Sequence, residues 1–176
     1  MELGSIILWK NIKTFGSRLQ RWWTYTIYSH TGIFAGSSEC GNLEFEADLK
    51  VRFHIYKDSY KEKCDIIKIK ASDEVRKEAL QYVVDTFENE MYGAISWFTI
   101  FLRFLFQRIG FKNTRQWNIL WGWGVHCSEL TWYYLRRIEK NMDWDIELDE
   151  YNPDIFVPQD LRNIINKFPE YFEVKQ

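Results

Sequence analysis

Hydrophobic residues in the N-terminal part of the chain recur in short runs and strict alternations, which predict β-strands. Leu43, Phe45 and Ala47 alternate with Glu44 and Glu46, as expected of a strand with one buried face. A turn rich in Gly, Ser and Asn precedes this strand and would join it to the preceding run as a hairpin. The predicted strands are Leu3–Trp9, Tyr25–Ala35, Leu43–Ala47, Val51–Tyr56 and Cys64–Ile69, with the hairpin turn at Gly36–Asn42.

Beyond these strands the apolar residues recur every three to four positions, which predicts helices. Ser72, followed by an acidic first turn, starts a helix that runs to about Met91. A second helix begins at Cys127, and a short one spans Gln159–Phe168 in the proline-broken, acidic C-terminal part. Strands followed by helices indicate an α+β fold in a single domain, residues 1–176, with an antiparallel sheet packed against the Cys127 helix.

The segment 94–119 is aromatic and basic, contains no acidic residue, and reads as an insertion into this domain. Three interpretations stay open: a membrane-surface element, a lid or wall beside Cys127, or part of the core. Arg103, inside the apolar run, favours an interface. Residues 12–24 are also basic and aromatic. The predicted peripheral membrane contacts are Trp97, Phe98, Phe101, Leu102, Leu105 and Phe106.

Composition excludes several classes of protein. Apolar residues make up 46% and aromatic residues 18% of the chain, which excludes disorder, and a formal net charge of −2 argues against a nucleic-acid partner. Three cysteines without CxxC spacing indicate free thiols in a reducing compartment. With no secretory signal or membrane-spanning run visible, we expect a cytoplasmic protein, which would act at a cell wall or membrane only if delivered there.

The stretch around Cys127 carries the strongest chemical signal. A Gly- and Trp-rich approach leads into this cysteine, and the helix that follows directs unpaired N–H groups and the positive end of its dipole at the thiol. His126 is a poor base for its direct neighbour because consecutive side chains diverge. His30, on a strand, is the better candidate, and His54 could be a surface ring.

Two carboxylates and one metal alternative complete the candidates. Glu44 and Glu46 share a face of the returning strand, and either could orient the imidazole of His30. A zinc site built from Cys40, Cys64, His54 and His126 lacks the paired ligand spacing of such sites.

The order of these motifs resembles a known family. An apolar strand, His30–Gly36 (HTGIFAG), a turn, Leu43–Ala47 (LEFEA) and, after a long middle, Val125–Leu130 (VHCSEL) follow one another. This order is similar to that of the permuted papain-like thiol hydrolases of the NlpC type, especially the YiiX-like branch and its lecithin–retinol acyltransferase relatives. In that group the histidine strand precedes the catalytic cysteine.

The resemblance implies a permuted papain-like fold and a set of site residues. Cys127 would be the nucleophile and His30 the general base, and Glu46, which precedes an alanine as the family's third residue does, would orient His30. Tyr92, before Gly93, would help an oxyanion site. Asp154–Leu161 looks like the family's closing element.

The expected function is therefore a cysteine hydrolase that requires no metal or organic cofactor. Peptide amides of the peptidoglycan type are the first expected substrate by family association, and lipid acyl esters or acyl transfer at a membrane are the alternative. A non-catalytic module that binds a membrane or a partner protein is the third hypothesis.

Overall fold

Six strands form one antiparallel sheet in the computed structural model, which describes residues 1–10, 22, 26–56, 63–93, 96–111, 114–116 and 124–175. The strand order across the sheet is β4-β3-β2-β1-β5-β6. All five predicted strands are present, two of them (Val51–Tyr56 and Cys64–Ile69) with the predicted bounds and the other three with shifted ends. The strands are β1 (Ile6–Lys10), β2 (Tyr28–Ser38), β3 (Gly41–Ala47), β4 (Val51–Tyr56), β5 (Cys64–Ile69) and β6 (Phe172–Lys175).

The predicted turn at Gly36–Asn42 is wrong in extent. β2 and β3 stay paired out to Ser38 and Gly41, so only Glu39 and Cys40 form the turn. The extra pairing is polar, and Ser37 Oγ donates to Asn42 Oδ1 over 2.7 Å. Polar residues at an exposed strand end therefore resembled a loop in the hydrophobic pattern. The four-residue strand β6 was not predicted, because a strand this short carries little alternation.

The central strand β1 is buried on both faces. Ile6 and Leu8 pack into the main core between sheet and helices, whereas Ile7 and Trp9 pack with Phe34 in a second cluster on the opposite face. Successive strand residues point to opposite faces, so two buried faces require an uninterrupted apolar run. This explains the continuous hydrophobic pattern at the start of the chain.

The described part of the chain also contains four longer α-helices: α1 (Asp73–Phe87), α2 (Ser96–Arg108), α3 (Cys127–Met142) and α4 (Pro158–Lys167). Short 3-10 helices lie at Thr114–Gln116, Leu148–Glu150 and Pro153–Ile155. None of the described helices is long and apolar enough to cross a membrane. The Ser72 side chain caps α1 by accepting the N–H of Val75 over 3.3 Å. The prediction that this helix runs to Met91 is wrong, because Glu88 leaves helical geometry with ψ 131° and Asn89 has φ 71°. Met91 instead pairs with Lys50 in an isolated bridge.

Helix α3 packs between the sheet and α1. Its apolar side contributes Leu130, Leu135 and Ile138 to the main core. The Tyr134 hydroxyl donates to the carbonyl oxygen of Gly4 over 2.8 Å, which ties the middle of α3 to the chain just before β1. These contacts confirm an α+β fold with an antiparallel sheet against the cysteine-bearing helix. The permuted papain-like details stay a prediction.

Helix α2 lies within the segment predicted as an insertion. Its Arg103 is buried and forms a two-pronged ion pair with Asp160, with N–O distances of 2.7 and 3.0 Å. The guanidinium also donates to the carbonyl oxygen of Ile155 over 2.7 Å. The interpretation of Arg103 as an interface residue is therefore wrong: it joins α2 to the C-terminal part of the chain. Residues 12–21, 23–24, 94–95, 112–113 and 117–119 lie outside the described residues.

Breaking the Arg103–Asp160 pair should destabilise the fold strongly. In Arg103→Ala the Asp160 carboxylate stays buried without its partner, and such losses cost about 3–5 kcal/mol. Urea unfolding measures the change. The control is Arg137→Ala, which removes the solvent-exposed pair with Glu78 and should cost far less. Equal losses in the two variants would contradict a dominant role for the buried pair.

Candidate active site

Strand register places the polar residues of the site on one face of the sheet. Trp9 pairs with His30 across β1 and β2, and Gly32 pairs with Glu46 across β2 and β3. Directly paired residues share a face, as do residues two apart on one strand. Glu44, two residues before Glu46, therefore joins the same face. The face is the one opposite Ile33 and Phe45, which enter the main core.

His30 is held by Glu46. The two side chains lie 2.7 Å apart, from His30 Nε2 to Glu46 Oε2, and both are largely buried. A carboxylate at Nε2 fixes the orientation of the ring and leaves Nδ1 as the nitrogen that can exchange a proton with another group. His54 approaches the other oxygen of the same carboxylate, with Nδ1 3.8 Å from Oε1.

Cys127 is the first residue of α3, and its backbone is fixed to β2. Thr31, the residue after His30, donates its hydroxyl to the carbonyl oxygen of Cys127 over 2.8 Å, and Thr131 donates to the same oxygen over 3.1 Å. Cys127 itself is only 3% exposed. A thiol at the first helical position meets the positive end of the helix dipole.

His126 caps α3. Its Nδ1 accepts the N–H of Glu129 over 3.2 Å, and its Nε2 lies 3.2 Å from the carbonyl oxygen of Asp154. Both ring nitrogens are therefore engaged in holding the start of the helix. A hydrogen bond with the Cys127 thiol outweighs burial and raises the pKa of His126. The expectation that His126 is a poor base for Cys127 therefore stays a prediction.

The pKa of the Cys127 thiol is lowered and the pKa of the His30 imidazole is raised in the folded protein. Burial alone raises the pKa of Cys127, but the positive charge of His30, and then a hydrogen bond with His126, outweigh it and bring the pKa well below that of an ordinary thiol. Burial alone lowers the pKa of His30, but the Cys127 thiolate, and then the hydrogen bond to Glu46, raise it well above the usual value. The hydrogen bond from His30 likewise outweighs burial and lowers the pKa of Glu46. The favoured state is a thiolate beside an imidazolium.

Glu44 occupies the same face in a different protonation state. Trp9 Nε1 donates to Glu44 Oε1 over 2.7 Å, and the carboxyl group is 1% exposed. Burial, and then the negative charge of Glu46, raise its pKa to about 8. Glu44 therefore holds a proton at neutral pH while Glu46 stays ionised. The sequence offered both glutamates as orienting groups, and these environments separate them.

Gly32 makes room for Glu44. A Cβ atom at this position would lie 1.9 Å from Glu44 Oε1, so no other residue fits without displacing the carboxyl group. The glutamate thus crosses β2 over the glycine to reach Trp9 on β1. Sequence reasoning missed Trp9 and Thr31 as site residues, because each reads as an ordinary member of a buried strand.

Tyr92 lies beside the approach to Cys127. It forms an isolated parallel bridge with Val125, and the N–H of Val125 donates to the carbonyl oxygen of Met91 over 3.0 Å. Gly124 is needed here, since it has φ 85° and a Cβ would lie 2.0 Å from that carbonyl oxygen. The Tyr92 backbone is thus paired with Val125, which lies two residues before Cys127 in the chain. The oxyanion role of Tyr92 stays a prediction. Residues 121–123 lie outside the described residues.

One group of side chains in the described part of the chain could hold a metal ion. His30, Glu44 and Glu46 each offer a ligand atom, and these atoms lie within 4.8 Å of one another. Imidazole and carboxylate ligands suit a divalent cation such as zinc. The three residues fit such an ion, provided that Glu44 releases its proton.

No protein-family model and no curated protein sequence matches the chain. Among solved structures, it is similar to the metalloprotein YiiX of Escherichia coli O157:H7, assigned to DUF1105, with a TM-score of 0.52 and 18% identity over 98% of this chain and 87% of that one. The chain has a YiiX-like fold. At this identity the likeness covers the fold alone, so the resemblance is supported as YiiX-like, and the thiol-hydrolase chemistry stays a prediction.

Glu44→Gln should change how stability depends on pH. Between the ordinary glutamate value of 4.5 and the folded-state pKa of about 8, the folded protein holds a proton that the unfolded chain has lost, so stability falls as pH rises through this window. Glutamine keeps the size and loses the titration. The variant should therefore gain stability relative to the parent between these pH values, by an amount that urea unfolding measures.

The control for this comparison is Glu39→Gln, at the exposed hairpin turn. An equal trend in Glu39→Gln, or no trend in Glu44→Gln, would contradict a buried, protonated Glu44.

Proposed function

We propose that the protein is a cysteine hydrolase in which Cys127 is the nucleophile, His30 the general acid and base, and Glu46 the residue that orients His30. The observation that carries the proposal is the contact of His30 with Glu46, and the electrostatic coupling of His30 to Cys127 supports it. Its Nε2 lies 2.7 Å from Glu46, and the opposed pKa changes of Cys127 and His30 favour a thiolate–imidazolium pair. Nucleophile, base and orienting carboxylate are the components that covalent thiol catalysis needs.

In this mechanism the Cys127 thiolate attacks the substrate carbonyl carbon, and the carbonyl π electrons move onto oxygen. The N–H of Cys127, at the start of α3, and the hydroxyl of Tyr92 would stabilise that oxyanion. His30 then gives its proton to the leaving amine or alcohol as the carbon–leaving-group bond breaks, which leaves a thioester on Cys127. Water attacks the thioester while His30 accepts its proton, and the acid and the thiol are released.

Amides of peptidoglycan-type peptides are the first substrate class in this proposal, by association with the family that the motifs resemble. Lipid acyl esters are the alternative, motivated by the aromatic and apolar residues of the segment 94–119. Both classes present an acyl carbon to the same nucleophile. Which of the two classes is the substrate depends on what the rest of the protein surface binds.

Alkylation of Cys127 tests the proposed pair. In a Cys40→Ala background, iodoacetamide should label Cys127 at pH values below the ordinary thiol pKa of about 8.5. His30→Ala should slow labelling at neutral pH by roughly tenfold or more, since the thiolate loses its cation. Glu46→Gln should also slow it, whereas Glu44→Gln, a matched change on the same strand, should have little effect. Mass spectrometry of the labelled peptide measures the rates.

Turnover is tested with purified peptidoglycan, where new amino termini should appear with the parent protein and not with Cys127→Ala. Labelling that is indifferent to His30→Ala would contradict the catalytic assignment. Normal labelling without new amino termini would reject the peptidoglycan substrate and leave the thiol chemistry standing.

A second proposal concerns the same residues. YiiX is described as a metalloprotein, and His30, Glu44 and Glu46 lie close enough to share an ion. A divalent cation bound there would engage His30 and Glu46 and so remove the base from Cys127. Zinc should therefore slow alkylation of Cys127, a chelator should restore it, and Glu44→Gln should weaken zinc binding in equilibrium dialysis. Equal zinc binding by parent and Glu44→Gln would reject this site.

A further inference from the structure

His126, the capping residue of α3, uses both of its ring nitrogens. Nδ1 accepts the N–H of Glu129 over 3.2 Å, and Nε2 lies 3.2 Å from the carbonyl oxygen of Asp154. An amide N–H and a carbonyl oxygen are satisfied together only by a neutral ring that carries its hydrogen on Nε2. His126 is buried, so both contacts are shielded from solvent.

The partner of Nε2 is itself held in place. Asp154 belongs to the short helix Pro153–Ile155, which packs against both α2 and α3. The next carbonyl oxygen, that of Ile155, accepts a hydrogen bond from the buried guanidinium of Arg103 over 2.7 Å. The Ile155 side chain is fully buried in a small apolar cluster. Asp154 therefore offers its carbonyl oxygen to His126 from a fixed position.

The ring is also a hydrogen-bond partner of the Cys127 thiol. Burial alone raises the pKa of Cys127, and the charge of His30, followed by the hydrogen bond with His126, lowers it. Of the other titratable groups, Glu129 has a carboxylate oxygen 3.9 Å from Nε2, whereas Asp154 contacts the ring through its backbone. The Cys127 sulfur thus has one imidazole partner on β2 and another at the cap of α3.

We propose that His126 is a positioning residue for Cys127: its ring, fixed between the start of α3 and the short helix Pro153–Ile155, holds the sulfur at the helix start. The inference rests on the proposed function, because it gives the thiolate a second partner.

This role differs from that of a general base. A base needs a free lone pair, and the lone pair on Nδ1 is taken by the N–H of Glu129. The hydrogen bond with the thiol outweighs burial and raises the pKa of His126, but protonating Nδ1 would turn this acceptor into a donor and break the cap. His126 therefore moves no proton, and its effect on the thiolate persists when His30 has given its proton to a leaving group.

Two replacements separate the contacts of the ring. In His126→Asn the side-chain oxygen can accept the N–H of Glu129 as Nδ1 does, so α3 keeps its cap, but the side chain is too short to reach the Asp154 carbonyl oxygen. In His126→Gln the amide nitrogen extends to the position of Nε2 and can donate to that carbonyl oxygen, whereas the cap is weakened. The two variants therefore lose opposite contacts of His126.

The pH profile of Cys127 alkylation by iodoacetamide, in the Cys40→Ala background, tests the proposal. His126→Asn should move the midpoint of the profile to higher pH and slow alkylation below the parent midpoint by about tenfold, since hydrogen bonds to charged groups are worth that much. His126→Gln should keep a profile close to that of the parent while unfolding at a lower urea concentration. The control is Ser72→Ala, which removes the cap of α1 and should lower the unfolding midpoint without moving the profile.

Three results would overturn the proposal. These are a profile in His126→Asn that matches the parent, an equal shift in His126→Gln, and an equal shift in Ser72→Ala, which would make the shift a consequence of lower stability. Circular dichroism verifies that each variant is folded. His30→Ala, measured alongside, separates this inference from the proposed function. A profile that moves in His30→Ala but in neither His126 variant rejects the role of His126 alone, whereas a profile indifferent to His30→Ala rejects the proposed pair.

Discussion

The structure depends on burying opposite charges next to one another. A thiolate, an imidazolium or a carboxylate alone would be expensive in a dry site, and each would neutralise instead. Here the charge of His30 holds the pKa of Cys127 down, and Cys127 and Glu46 hold the pKa of His30 up. Remove one member and the burial of the other two becomes unfavourable. The arrangement therefore needs a backbone that fixes all three side chains.

That backbone is the three-strand centre of the sheet together with the first turn of α3. Strands β2 and β3 bring His30 and Glu46 together, and Thr31 ties the Cys127 carbonyl to the residue after His30. Glu44 lies over Gly32 on the same face of this part of the sheet. A neutral Glu44 beside Glu46 fills the space over Gly32 without adding another negative charge at neutral pH.

The sequence predicted the features that repeat. Alternation located β3, and four-residue spacing located α1, because burial of one face imposes a period. The position of Cys127 at a helix start also followed from local pattern. Features that depend on contacts between distant residues were missed or misread: Arg103 looked like a surface cation within an apolar run, yet Asp160, far along the chain, makes it a buried anchor.

The same limit applies within the candidate site. Glu44 and Glu46 occupy equivalent positions in the alternating pattern, and only their neighbours on β1 and β2 give one a Trp9 partner and the other a His30 partner. The end of α1 was misplaced because Met91 pairs with Lys50, which no local signal announces. Tertiary pairing, not propensity, decides these positions.

The most direct test of the account is the titration of the His30 ring followed by nuclear magnetic resonance in the parent protein and in Cys127→Ala. A thiolate–imidazolium pair requires that His30 stays protonated well above its usual pKa of about 6.5 in the parent, and that its pKa falls when the thiolate is removed. A His30 ring that titrates in the ordinary range and does so identically in Cys127→Ala would contradict the pair on which the proposed function depends.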